Sequence, residues 1–255
     1  VAVIPVMIGV AIWILNREEE VENRVISEVI EPGQVKATLV LPGGTTLALK
    51  GMKQEEIEVG EGLKAKRTSG GLVYDSGIDG KEEKLQYSVL KIPRGGEFHL
   101  TLSDGTSVML NSATNLEYPV RFGKEERKVY LDGEAYFEVM KDMNRPFYVV
   151  TDAVRVKVYG TEFNVNTNGI GGTQTTLVSG KVGIWGRGSV QEYIMKPFQL
   201  AEFGDNGEFK GIRDVDVKTY TAWKEGFFVF EDEGLEGILN RLSRWYDVDV
   251  FYQNL

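Results

Sequence analysis

Three strand-and-turn motifs crowd residues 102–165: Ser103-Asp104-Gly105-Thr106, then Leu131-Asp132-Gly133-Glu134-Ala135-Tyr136-Phe137-Glu138-Val139, then Gly160-Thr161-Glu162-Phe163-Asn164-Val165. Each joins turn residues to an alternation of apolar and polar side chains, and that combination confines the chain to β structure. None brings a nucleophile, a base and an orienting group together, as catalysis requires. Such a chain is expected to bind or relay, not to turn over a substrate.

The alternation begins earlier. Residues 35–41 put Val35, Ala37, Leu39 and Leu41 on one face, Pro42-Gly43-Gly44 supplies a turn, and residues 45–50 alternate again. This is a β-hairpin. It recurs about sixty residues on, where Leu39 to Leu49 align with Leu100 to Leu110, so a repeated hairpin is expected. Residues 51–83 predict short edge strands and loops, with apolar pieces at 57–59 and 71–74. Further strands are predicted over 128–140, 147–151, 154–159, 163–165, 175–178 and 182–185. Regular short strands with Gly, Asn and Asp turns favour a β-sandwich or an irregular β-solenoid. After Trp223 the pattern changes. A strand over 226–230, a helix carrying Leu235, Ile238, Leu239, Leu242 and Trp245, and a strand over 248–252 predict a βαβ unit, too small to close its own core, so the chain is expected to continue beyond Leu255.

Residues 1–15 are apolar and stop at Asn16-Arg17-Glu18-Glu19-Glu20. Fifteen residues at 1.5 Å rise reach roughly 22 Å, short of about 30 Å of hydrocarbon. The run is expected to be the trailing end of a transmembrane helix that starts upstream. A signal-peptide core would end in small residues, whereas this run ends Ile12-Trp13-Ile14-Leu15, and Trp13 suits a membrane interface. The acidic flank suggests a non-cytoplasmic side. The net charge of −9 opposes nucleic-acid binding, and with no cysteine the chain has no disulfide, thiolate metal site or thiol nucleophile.

No catalytic constellation stands out in the sequence. His99, the single histidine, lies on the polar side of a strand between Phe98 and Leu100. Asp132, Glu134, Tyr136 and Glu138 are predicted to share one strand face, which would suit a sugar. Asp132 and Glu134, about 6.6 Å apart along a strand, sit at the edge of inverting glycosidase geometry. A solvated or salt-bridged face explains the same residues. Asn168-Gly169-Ile170-Gly171-Gly172-Thr173 lacks the Lys and the following helix of a phosphate loop. No catalytic, metal-binding or cofactor-binding residue is assigned.

Residues 102–111, Tyr118-Pro119, Arg127-Lys128-Val129, 133–139, Arg145-Pro146-Phe147, 160–165 and Thr176-Leu177-Val178-Ser179-Gly180-Lys181-Val182 together resemble the FecR family in order as well as content. The resemblance covers about residues 30–201. The tail, Trp223 to Phe230 and Leu242-Ser243-Arg244-Trp245-Tyr246-Asp247-Val248, is similar to the C-terminal domain of Bacteroidetes members, a secretin/TonB short N-terminal-like domain. The family's Pro-Gly-Gln turn stands here as Pro197-Phe198-Gln199.

The resemblance implies a mainly β protein: the end of a transmembrane helix (1–16), a juxtamembrane linker (17–34), a FecR β domain (35–218) and a partial C-terminal βαβ domain (223–255). It implies a non-enzymatic anti-sigma factor of the inner membrane, single pass, with this region in the periplasm. Its partners would be the N-terminal signalling domain of an outer-membrane TonB-dependent transporter and, through a cytoplasmic region outside this chain, an extracytoplasmic-function sigma factor. Phe228, Phe230, Trp245 and Tyr252 are the candidate partner-binding residues, though each also fits an ordinary core position. The alternative is an envelope carbohydrate-binding β module using the Asp132/Glu134/Tyr136/Glu138 face. A weaker third reading is a glycosidase built on Asp132 and Glu134.

Overall fold

The computed structural model describes residues 33–50, 56–60, 63–68, 71–74 and 85–251. The predicted membrane segment 1–16, nearly all of the linker 17–34, and Tyr252 lie outside these residues. In chain order the strands are β1 (Gln34–Val35), β2 (Thr38–Val40), β3 (Thr46–Ala48), β4 (Glu56–Gly60), β5 (Leu63–Arg67), β6 (Gly71–Tyr74), β7 (Tyr87–Ile92), β8 (Gly96–Thr101), β9 (Ser107–Leu110) and β10 (Thr114–Pro119). They continue as β11 (Arg127–Asp132), β12 (Glu134–Glu138), β13 (Phe147–Val150), β14 (Val154–Val158), β15 (Glu162–Gly169), β16 (Gly172–Ser179), β17 (Val182–Gly186), β18 (Tyr193–Met195), β19 (Gln199–Phe203) and β20 (Phe209–Asp214). A short helix α1 (Lys218–Thr221), a 3₁₀ turn (Ala222–Glu225) and a longer helix α2 (Leu235–Tyr246) follow.

Two mixed sheets hold all the described strands. One has eleven, ordered β20-β19-β16-β15-β12-β9-β8-β6-β5-β4 with β1 beside β8; the other has nine, ordered β18-β17-β14-β13-β11-β10-β7-β2-β3. Except for the edge pair β2-β3 and for β1, spatial order follows chain order in both. The chain therefore advances along the molecule as a solenoid does, crossing between sheets every one to three strands, while most neighbours pair antiparallel as in a sandwich. Both predicted architectures describe part of this arrangement. The core lies between the sheets and is filled by alternate residues of each strand: Leu90, Leu116, Val129 and Val149 from one sheet, Leu100, Val108, Phe163 and Leu177 from the other, all fully buried. Phe137 stacks on Phe163 at 5.2 Å and meets Phe147 of the opposite sheet at 6.1 Å.

The repeated hairpin is present down to its turn bonds. Leu41 N donates to Thr45 O and Gly44 N to Leu41 O, and the matching bonds run Leu102 N to Thr106 O and Gly105 N to Leu102 O. Gly44 and Gly105 both take φ near +80° (82° and 85°). The copies fall in different sheets, so turn chemistry, not a shared sheet position, makes them alike.

Three predicted elements differ. Residues 35–41 form two strands: β1 pairs parallel with β8 while β2 joins β7 in the other sheet. Residues 128–140 also form two, because Gly133, at φ +125°, turns the chain from the nine-stranded into the eleven-stranded sheet. A Cβ there would sit 2.4 Å from Thr114 Oγ1, so the crossing is open to glycine. Finally, α2 is present, but residues 226–230 and 248–251 join no ladder. Their backbone groups bond elsewhere: Phe227 N donates to Ala222 O and Val248 N to Ser243 O, and the Val229 and Val248 carbonyls accept from Arg241 and Arg94. A strand exists by pairing, which period-two alternation does not guarantee.

Candidate functional site

Helix α2 is amphipathic, and its two faces meet different surroundings. Leu235, Ile238, Leu239 and Leu242 lie along one side; Leu235 is 67% exposed and the other three are half-buried. Gly237, Asn240, Arg241 and Arg244 lie on the opposite side. There they line a cleft of about 410 Å³ between the helix and the β domain. The polar face, not the apolar one, is turned toward the sandwich across this cleft.

Glu134 reaches this cleft from β12. Its carboxylate is buried, with Oε2 accepting from Asn111 Nδ2 at 2.8 Å and Oε1 from Asn164 Nδ2 at 3.0 Å. Burial raises its pKa from the ordinary carboxyl value, while the two asparagines and the positive charges of Arg241 and Arg244 pull back. Arg244 shows the converse: burial lowers its pKa and Glu134 opposes that. The oxygen of Asn164 also accepts a bond from Trp223 Nε1 at 3.3 Å. One asparagine thus links the buried carboxylate to an indole that is 1% exposed, so Trp223, the first residue of the predicted tail domain, packs with the sandwich.

The C-terminal end of α2 is held by the turn between β7 and β8. Gly95 N donates to Arg244 O at 2.8 Å, and Arg94 Nη2 donates to Ser243 O at 3.1 Å and to Val248 O. A guanidinium and a backbone amide thus satisfy carbonyls that a helix end leaves open, and the positive charge meets the negative end of the helix dipole. Asp247 and Asp249 flank Arg94 at 3.3 and 3.4 Å. Asp247 itself ends the helix in a left-handed conformation at φ +53°.

The structure brings three of the four predicted partner-binding residues together. Phe228 and Phe230 stack in parallel at 6.1 Å, Phe228 meets Trp245 edge-on at 5.3 Å, and Arg241 lies over both phenyl rings. Trp245 is buried, its indole 2.9 Å from where a Cβ would sit on Gly33. The exposed aromatics of this region are others: Phe227 at 66% and Phe251 at 90%, with Val229 at 38%. Alternation in residues 227–230 could have revealed this, since placing Phe228 and Phe230 inward turns Phe227 and Val229 outward.

The carboxylate face does not exist as predicted. Asp132 ends β11 in one sheet and Glu134 begins β12 in the other, with Gly133 between them. Asp132 is exposed, Glu134 buried, Tyr136 is 3% exposed with its hydroxyl donating to Glu162, and Glu138 is exposed. The observation that motivated both a sugar site there and a glycosidase is gone. His99 sits half-buried with its Nε2 2.9 Å from Ser107 Oγ, an ordinary cross-strand contact. Residues 168–173 are the ends of β15 and β16 and the hairpin turn, Ile170-Gly171, that joins them.

Comparison with known proteins agrees with this fold. Residues 88–183 match the FecR protein family, and residues 227–255 match the FecR C-terminal family. Two crystal structures of a protein from Parabacteroides distasonis ATCC 8503, assigned as an anti-sigma factor and determined at 1.65 and 2.50 Å, superpose with a TM-score of 0.57 at 30% identity. The superpositions cover 62% and 63% of this chain and 74% and 75% of those chains. No curated protein matches the sequence.

Proposed function

The chain belongs to the FecR family of anti-sigma factors, and on that premise we propose that it is the periplasmic sensor portion of a single-pass inner-membrane protein, anchored through residues 1–16. It relays a signal from an outer-membrane TonB-dependent transporter to an extracytoplasmic-function sigma factor held by a cytoplasmic region. The N-terminal signalling domain of the transporter docks on residues 226–251, and the sandwich passes the change toward the membrane.

One observation carries this reading. Beside a helix fastened to the sandwich by Arg94 and facing Glu134, residues 227–230 run without a ladder and expose Phe227 and Val229. An unladdered segment with outward apolar side chains suits strand addition, in which a partner pairs with backbone groups beyond those that Phe227 N and Val229 O already engage. Deleting the region from Gly226 onward in the full-length protein, which keeps Trp223 in the sandwich, is expected to abolish transporter-dependent transcription in a sigma-responsive reporter strain. Unchanged induction in that strain would refute the docking role.

A further inference from the structure

The outward face of the nine-stranded sheet carries an arrangement that the core does not need. Strand register sets Arg155 between Trp185 and Val150, with Tyr130 beyond Val150. In the adjacent row, Tyr148 lies between Lys157 and Lys128. Rings and cations thus neighbour one another over four strands, with Val150 interrupting the first row and Gly183 ending the second, a span of roughly 14 Å at about 4.8 Å per strand. The Arg155 guanidinium lies 4.8 Å from the Trp185 ring, and Lys157 Nζ lies 5.9 Å from Tyr148 and 5.3 Å from Tyr159. Gly183 leaves room for this, since a Cβ there would be 3.3 Å from Trp185 Cη2 and 2.3 Å from Glu192 Oε1.

Lysine and tyrosine on a solvated sheet face are common, so charge balance decides the reading. Lys128 pairs with Glu126. Arg155 and Lys157 form no ion pair with any described residue, and Glu192, lying over Gly183, is beyond ion-pair distance of both. A chain of net charge −9 therefore presents, on this face, two cations fixed against rings and free of carboxylate partners. We propose that the Trp185, Arg155, Tyr148 and Lys157 face binds an anionic polysaccharide.

A sugar ring offers a flat C–H face to an aromatic ring, and an acidic sugar adds one carboxylate or sulfate per repeat for Arg155 or Lys157. A peptide fits less well. These strands are interior to the sheet, so their backbone groups are consumed in ladders and none is left for an incoming strand. A nucleic acid duplex would bring one charge per about 1.7 Å of its axis, denser than one per sugar ring, toward Glu117, Asp132, Asp152 and Asp205, which line the groove beside Tyr130.

The test is titration calorimetry of the whole chain with polygalacturonate, alginate, neutral dextran and poly-glutamate, repeated on Trp185→Ala and Arg155→Gln. Melting temperatures show that both variants remain folded. Binding of polygalacturonate or alginate but not dextran, weakened about fivefold or more by each substitution, is the expected result. Failure of both acidic glycans to bind, equal binding of dextran, stronger binding of poly-glutamate, or acidic-glycan binding indifferent to both substitutions would each overturn the proposal.

Discussion

Asp104 closes its turn and also anchors the sandwich. Oδ1 accepts from Thr106 N at 3.0 Å, and Oδ2 accepts from Thr106 Oγ1 and Arg127 Nη1, each at 2.7 Å. Arg127 is fully buried, donates on to the carbonyls of Arg145 and Met140, and lies 5.5 Å from the Phe147 ring. Removing one partner of such a pair leaves an uncompensated buried charge. Asp104→Ala is therefore expected to cost about 3–5 kcal/mol in a denaturant titration. Glu134 gives a second prediction, in pH. Its folded pKa is raised, so the folded state holds a proton that the unfolded chain releases, and this contribution to stability is complete below the unfolded carboxyl pKa and lost as pH rises toward the folded value. The melting temperature of Glu134→Gln relative to the parent protein should rise between acid and neutral pH. The Asp104 turn was legible in Ser103-Asp104-Gly105-Thr106, but its arginine lies 23 residues away, and no local pattern names it. Glu134 was misplaced because alternation was carried through Gly133, where the chain changes sheets.

At the scale of elements, the spacing of Leu235, Ile238, Leu239 and Leu242 was enough to predict α2. Its seat was not legible, because the turn that caps it comes 149 residues earlier in the chain, and because the face that docks is polar. Arg94→Ala removes bonds from a charged donor to helix-end carbonyls, each worth about 1.5–3 kcal/mol. Amide exchange in α2 is expected to quicken by about tenfold or more while the central strands keep their protection. At the Pro197-Phe198-Gln199 turn, where the family resemblance implies a glycine, the backbone of Phe198 is left-handed. Phe198 takes φ +67° and is 59% exposed, a conformation that disfavours side chains. Phe198→Gly should raise stability by about 1 kcal/mol, read as a higher denaturation midpoint.

Across the whole molecule, mainly β character and sandwich-like packing could be read from alternation and turns, since both are local signals. The order of strands could not, because it depends on where the chain crosses between sheets. The boundary after β20 shows the same limit: Trp223 begins the changed sequence pattern, yet it is buried and bonded to Asn164. A chain ending at Glu225 should keep a cooperative melt, whereas one ending at Ala222 should lose a further ~3–5 kcal/mol, the usual cost of emptying a buried tryptophan site. The central claim, that residues 226–251 receive a signal while the sandwich fastens them, is tested most directly by a photoreactive residue at position 227 of the full-length protein in its native membranes. Under inducing conditions the account predicts covalent capture of the N-terminal domain of a TonB-dependent transporter, identified by mass spectrometry. Capture of no transporter, with transcription still induced, would contradict it.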